Sequence, residues 1–176
     1  MERLCYAGIG SRKTPQEVLL LMTRMAVALR ERGFVLRSGG AEGADRAFEA
    51  GAGNQKEIFL PWRNAFGHSS PLAPPSQEAM EMAEGVHPGW QWLKPGARKL
   101  MARNCHQILG EELNDPVRFV IAWTPDGCES HHTRSRVTGG TGQAIALASL
   151  KDIPVFNLAN ADAQERLKHF VREIVK

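Results

Sequence analysis

Three glycine-rich turns, GIGSR at residues 8–12, SGGAEGAD at 38–45 and TGGTGQ at 138–143, each lie between a β-prone stretch and a segment with helical patterning. Few architectures accommodate that repetition of strand, tight turn and helix. The run RLCYAG at 3–8 is short and apolar and stops at the first turn, as a buried parallel strand does. Pro15 then stands at a first helical position with Thr14 as its cap. Val18, Met22, Met25 and Leu29 recur at helical spacing as far as Arg32, and Gly33 ends the helix. A strand at 34–37 feeds the second turn, a helix over 44–50 closes at Gly51, and 57–60 is a third strand. Between residues 62 and 96 five prolines and three tryptophans surround one helical stretch near 77–83, so this is an irregular insert. Regularity returns with a helix over 97–109, a strand over 118–123, a polar loop over 124–138, a helix over 143–150, a strand over 154–158 and a helix over 163–175. The alternation predicts a Rossmann-like α/β fold: a doubly wound, mostly parallel sheet in a single domain, with an insert after the third strand.

Composition supports one domain and narrows the function. A chain of 176 residues, 43% hydrophobic, can bury one core and is short for two. The formal charge of +3 admits an anionic ligand but is modest for a nucleic-acid cradle, and Lys and Arg are scattered along the chain. The three cysteines, Cys5, Cys105 and Cys128, include no CxxC pair, which points to a reducing, cytoplasmic setting. No apolar run is long enough for a membrane span.

In open parallel sheets ligands bind beyond the carboxyl ends of the strands, where all three turns should converge. Glycine lets backbone approach a ligand closely, and the N–H groups at a following helix start attract phosphate or carboxylate. The candidate ligand residues are therefore Gly8, Gly10, Ser11 and Arg12 from the first turn, Ser38, Gly39, Gly40, Gly43 and Asp45 from the second, and Gly139, Gly140, Thr141, Gly142 and Gln143 from the third. The competing explanation for each turn alone is that tight strand-to-helix connections need glycine anyway. The usual dinucleotide fingerprint fails: Lys13 stands at its third glycine, no P-loop occurs, and strand two ends in Arg37 rather than an acidic residue. Ser11 and Arg12 instead offer a hydroxyl and a guanidinium suited to phosphate.

The ordered set CYAGIGSR, VLRSGGAEGADRAFEAGA, EIFLPW, MARN, VIAWTPDG and TGGTGQAIALA resembles the Rossmann-like SLOG superfamily, which contains the DNA-processing protein DprA (Smf) and the LOG phosphoribohydrolases. It is most similar to a compact, phage-type branch, and the likeness covers most of residues 4–158. The SGG and GAD segment is similar to the DprA pattern SGxAxGID, and Arg103 and Asn104 fall where that family carries its RN pair. The resemblance implies a nucleotide-derived ligand of mononucleotide, ADP-ribose or cyclic ADP-ribose type, and a homodimer or higher homo-oligomer. LOG enzymes use a glutamate in PGGxGTxxE, and Ala146 stands at that place here, so the expectation is binding without turnover and no catalytic residue. Sequestration or sensing of a nucleotide signal, an immune signal included, follows as one role. The alternatives are a DprA-like binder of single-stranded DNA, and a phosphoribohydrolase whose carboxylate has moved to Glu42, Asp45 or Glu129.

Trp62 directly follows strand three, beside Arg63, and both are candidates for ligand contact, the indole by stacking on a base. Trp123 ends another strand near the same edge, while Trp90 and Trp92 are expected to pin the insert to the body. Arg103 is placed to reach phosphate and Asn104 to meet base or ribose. Cys128, His131 and His132 share a loop but lack zinc-ligand spacing, so neither a metal nor a cofactor is called for. Cys105 and His106 read as a buried thiol beside a surface imidazole.

Overall fold

Strand β1 (Cys5–Gly8) is buried on both sides: Cys5 and Ala7 face one core and Tyr6 the other. The computed structural model describes residues 2–176. In it β1 pairs with β2 (Val35–Ser38) and β4 (Val120–Ala122), while β3 (Lys56–Ile58) and β5 (Val155–Asn157) form the edges. The order is β3-β2-β1-β4-β5, and every pairing is parallel. The sheet is thus fully parallel where the sequence predicted a mostly parallel one, and the fold is Rossmann-like in one domain. Strict alternation divides β4 and the residue before it as well: Phe119 and Ile121 face one side, Val120 and Ala122 the other.

The two faces differ in chemistry. Helices α1 (Gln16–Glu31), α2 (Ala44–Ala52) and α6 (Ala163–Ile174) cover an aromatic face, where Tyr6 stacks on Phe119 at 5.6 Å and Phe34, Phe156 and Phe170 meet Phe119 edge-on. Helices α3 (Gln77–Val86), α4 (Pro95–Leu109) and α5 (Thr141–Leu150) cover a face of alanines and small aliphatics. Helix α5 is enclosed on all sides, every residue from Gly142 to Ala148 being buried.

Some boundaries move for stated reasons. Helix α2 does not close at Gly51 but continues to Ala52, and Gly53, at φ 59°, makes the exit. Gly51 is inside the helix because a Cβ there would lie 2.3 Å from the Thr23 carbonyl; the glycine lets α2 press directly on the α1 backbone. Thr14 does not cap α1. Its Oγ1 donates to the Ser11 carbonyl at 2.5 Å, and Pro15 occupies the cap position. The helix in the 62–96 insert is longer than expected and is capped by Ser76, whose Oγ accepts the Ala79 N–H at 3.1 Å.

His106 is not at the surface. Its ring stacks on Phe59 at 5.6 Å, Nε2 accepts the Ser76 N–H at 3.1 Å, and Nδ1 donates to the Gly110 carbonyl at 3.1 Å. The imidazole is thereby a strut between α4 and the insert. Arg37 is also buried, bonded through Nε to Glu57 at 3.2 Å and through Nη2 to Asp115 at 2.5 Å. Among the described residues no helix is long and apolar enough to cross a membrane.

Candidate functional site

The strand order reverses between β1 and β4, so the segments leaving those parallel strands diverge and open a crevice at their carboxyl ends. The first turn continues to pair with the far strand: the Ile9 N–H donates to Ile121 and the Ser11 N–H to the Trp123 carbonyl, at 3.1 and 3.0 Å. It then folds on itself, the Ser11 Oγ accepting the Lys13 N–H, which leaves Arg12 projecting from the loop, exposed. Gly10 permits the close approach of α2, since a Cβ would fall 2.6 Å from that of Ala44.

The second turn is tied to the first by Ser38, whose Oγ donates to the Gly8 carbonyl at 2.6 Å. It enters α2 through Gly40 and Gly43, both at positive φ, and delivers Asp45 to a buried position. Burial raises the Asp45 pKa, against the opposing pull of the Arg103 charge and the Ala41 N–H, which Oδ2 accepts at 3.3 Å.

Arg103 reaches across from α4. Nη1 donates to the carbonyls of Gly39 at 2.7 Å and Phe59 at 3.1 Å, and Nε donates to Asn104 Oδ1 at 3.1 Å. Nη2 has no acceptor among the described residues, so two N–H groups of a buried guanidinium remain available. Asn104 in turn donates to the Gly140 carbonyl at 3.1 Å and thereby fixes the third turn against α4. At the start of α5 the N–H groups of Gly142 and Gln143 return to Gly139 and Gly140, leaving those of Gly140 and Thr141 without a backbone acceptor among the described residues.

These parts surround a cavity of about 370 Å³. Gly10, Ser11 and Arg12 form one wall, Glu42 and Asp45 a second, Arg103 and Asn104 the floor, and Gly139, Gly140 and Thr141 a third wall. Gly8, Ser38, Gly39, Gly40 and Gly142 do not line it but stand behind its walls, and Gly43 borders a neighbouring depression shared with Arg12 and Arg46. Gln143 points away: its amide donates to the Ala83 carbonyl at 3.0 Å and accepts from Arg134 at 3.1 Å. Trp62 and Arg63 are outside the cavity as well, exposed at the start of the insert, with Trp62 near Gly96. Trp90 is buried as expected of a pin, with Arg98 over its ring, whereas Trp92 is 82% exposed.

An aromatic wall is present nonetheless. Phe66 lines the cavity, with the Arg103 guanidinium 6.0 Å from its ring, and Lys13, Leu100, Met101 and Gln107 line it too. Reasoning from sequence passed over all five. Phe66 gives no signal in the sequence beyond being an aromatic in a long loop, and Lys13 none beyond standing where the dinucleotide fingerprint has its third glycine. Of the three carboxylates considered as replacements for the missing glutamate, Asp45 and Glu42 reach the cavity, whereas Glu129 is held elsewhere by Arg166 at 2.6 Å and Asn160.

No protein-family model and no curated protein matches the chain. Among solved structures, DNA processing protein A from Helicobacter pylori, described for its single-stranded DNA binding mode, aligns with a TM-score of 0.55. The chain is similar to it in fold. The alignment covers 94% of this chain and 72% of that one at 18% identity, which establishes the common architecture and leaves the ligand to be argued from the site.

Proposed function

We propose that the chain binds a nucleotide-derived small ligand in the cavity at the carboxyl edge of the sheet, and holds it without turnover. One observation carries the reading: unused donors from three separate elements, Arg103 Nη2, the Gly140 and Thr141 N–H groups and the Arg12 guanidinium, converge on one cavity of nucleotide size. Phosphate takes these donors, because a charged acceptor satisfies guanidinium and helix-start N–H groups together. Phe66 offers the face on which a base stacks, the role that sequence had suggested for Trp62. Asp45 takes a ribose hydroxyl. Its carboxylate is already committed to organising the second turn through Ala41, which suits a binding role better than that of a mobile acid or base.

A second reading, single-stranded DNA as the ligand, is favoured by the structural likeness to DNA processing protein A. Thermal stability measured against AMP, ADP-ribose, a cyclic ADP-ribose, a cyclic dinucleotide and an oligodeoxynucleotide separates the two. A small ligand at a hundred times its dissociation constant adds about 2.7 kcal/mol and a clear rise in Tm. Arg12→Ala, an exposed change, should abolish that rise while leaving the unliganded Tm in place. A rise with the oligodeoxynucleotide alone, steeply lost with salt, would replace the small-ligand reading by the DNA one.

A further inference from the structure

On the far side of the third glycine turn lies a second depression, of about 600 Å³, whose titratable lining is entirely basic: His87, His131, Arg134 and Arg136. No carboxylate lines it, and neither arginine enters an ion pair among the described residues. Arg134 is half-buried, and that burial lowers its pKa; Nη1 donates to Gln143 and the rest of its fork is unused. The two imidazoles are held differently. His87 Nδ1 accepts the Gly89 N–H at 3.0 Å, which puts the proton of the neutral ring on Nε2 as a free donor, whereas Ser149 Oγ gives its own proton to Ser130 Oγ and so accepts from His131 Nδ1 at 2.9 Å, and His131 Nε2 has no protein partner among the described residues. The depression therefore gathers donors from the insert and from the 124–138 loop and supplies no negative charge to match them.

Gly139 lines both this depression and the first cavity. It is exposed, has φ 71°, and a Cβ placed on it would meet nothing within 4 Å, so the residue that the two sites share offers bare backbone. We infer that the basic depression is a second phosphoryl subsite, and that the ligand is a small nucleotide bearing two separated phosphoryl groups, one on each side of Gly139. This rests on the reading of the first cavity as a phosphate site. A short linear dinucleotide has the required chemistry, and a DNA strand shares it.

The test begins with inorganic pyrophosphate, which needs no knowledge of the base. Histidine ring resonances are followed during titration of the wild-type chain, Arg12→Ala, Arg136→Glu and the double variant Arg134→Gln/Arg136→Glu. Saturable shifts of His87 and His131 are expected in the wild type and in Arg12→Ala, and a loss of affinity of at least tenfold in both Arg136 variants. Arg136 is exposed, so its single variant tests the inference even if the double variant fails to fold. The absence of saturable shifts in the wild type, or their survival in Arg136→Glu, overturns it. Calorimetry with AMP and 5′-phosphoryl-ApA then links the subsites. The dinucleotide should bind at least tenfold tighter than AMP, and Arg136→Glu should remove that advantage while sparing AMP. Equal affinity of the two ligands refutes the linkage. If Arg12→Ala leaves AMP binding unchanged while the histidine shifts persist, the reading of the first cavity fails separately. An oligodeoxynucleotide binding more tightly than the dinucleotide in proportion to its length assigns the subsites to a strand and refutes the small-ligand form.

Discussion

Substituting Gly39 by alanine isolates the packing that holds Arg103 in place. Gly39 does not have a positive φ, so alanine meets no backbone penalty there, and the obstacle is space. A Cβ would lie 2.4 Å from Arg103 Nη1, 2.5 Å from Gln107 Nε2 and 2.7 Å from Arg103 Cζ. None of these is a loose end, because Arg103 is 6% and Gln107 2% exposed, and Nη1 is held by the Gly39 and Phe59 carbonyls. Ordinary contact requires the guanidinium to retreat by about 1 Å, which carries both bonds out of range. Overpacking of this kind costs about 1–3 kcal/mol. Losing charged hydrogen bonds costs about 1.5–3 kcal/mol. The two overlap, so the expected loss is about 3–4 kcal/mol, a fall in Tm of roughly 6–16 °C for a domain of this size. Urea unfolding followed by circular dichroism, with calorimetry for Tm, reads the change. Gly140→Ala is the control, because its Cβ would meet only Met101 Cε at 3.4 Å, and it should stay within about 0.5 kcal/mol of wild type. If Gly39→Ala also unfolds within about 0.5 kcal/mol of wild type, Arg103 is not clamped as described.

Arg37→Leu should cost about 3–5 kcal/mol in urea unfolding, because it strands the buried side of Glu57 and releases the 110–117 loop anchored through Asp115; a variant as stable as wild type refutes that. Asp45→Asn tests a sign. Burial holds the folded pKa of Asp45 above 3.8, so the native state keeps its proton to higher pH than the unfolded chain does. The contribution of Asp45 to stability is then complete below the unfolded value and is lost as pH rises through the folded one. The amide variant should accordingly gain on wild type as pH rises from 4 to 7, and an advantage that shrinks over that interval contradicts the assignment. Phe66→Ala should weaken nucleotide binding, measured by calorimetry, by about tenfold for a lost stacking face, while Trp62→Ala leaves it unchanged; the reverse pattern returns the stacking role to Trp62.

The sheet was legible because each β1 residue obeys a period of two between equally buried faces, and because each ligand-edge turn announces itself by glycine. Arg12 and Asp45 were legible because they belong to the glycine-rich turns that follow strands, whereas Arg103 and Asn104, within α4, were legible only because their RN pair resembles a known motif. What escaped was set by tertiary packing. Gln143 belongs to the third turn in sequence, yet the helical rotation of α5 turns it towards Ala83, and a linear motif holds no record of that rotation. His106 looks like a surface imidazole until the fold sets Phe59, just after β3, against its ring and the insert folds back to supply the Ser76 N–H. Gly51 reads equally well as a helix terminator and as a close-packing residue, and only the position of Thr23 decides between them.

The enclosure of α5 bears on how the molecule can move. A helix wetted on one side can roll or slide by exchanging contacts with water; α5, buried from Gly142 to Ala148, has no such face. Its amides should exchange with deuterium only when the whole domain opens, which makes it the stationary post of the crevice. Any accommodation of an arriving molecule therefore falls to the flanking segments, the loop of residues 124–138 and the insert of residues 62–96, whose amides should slow on ligand addition while those of α5 keep their pace.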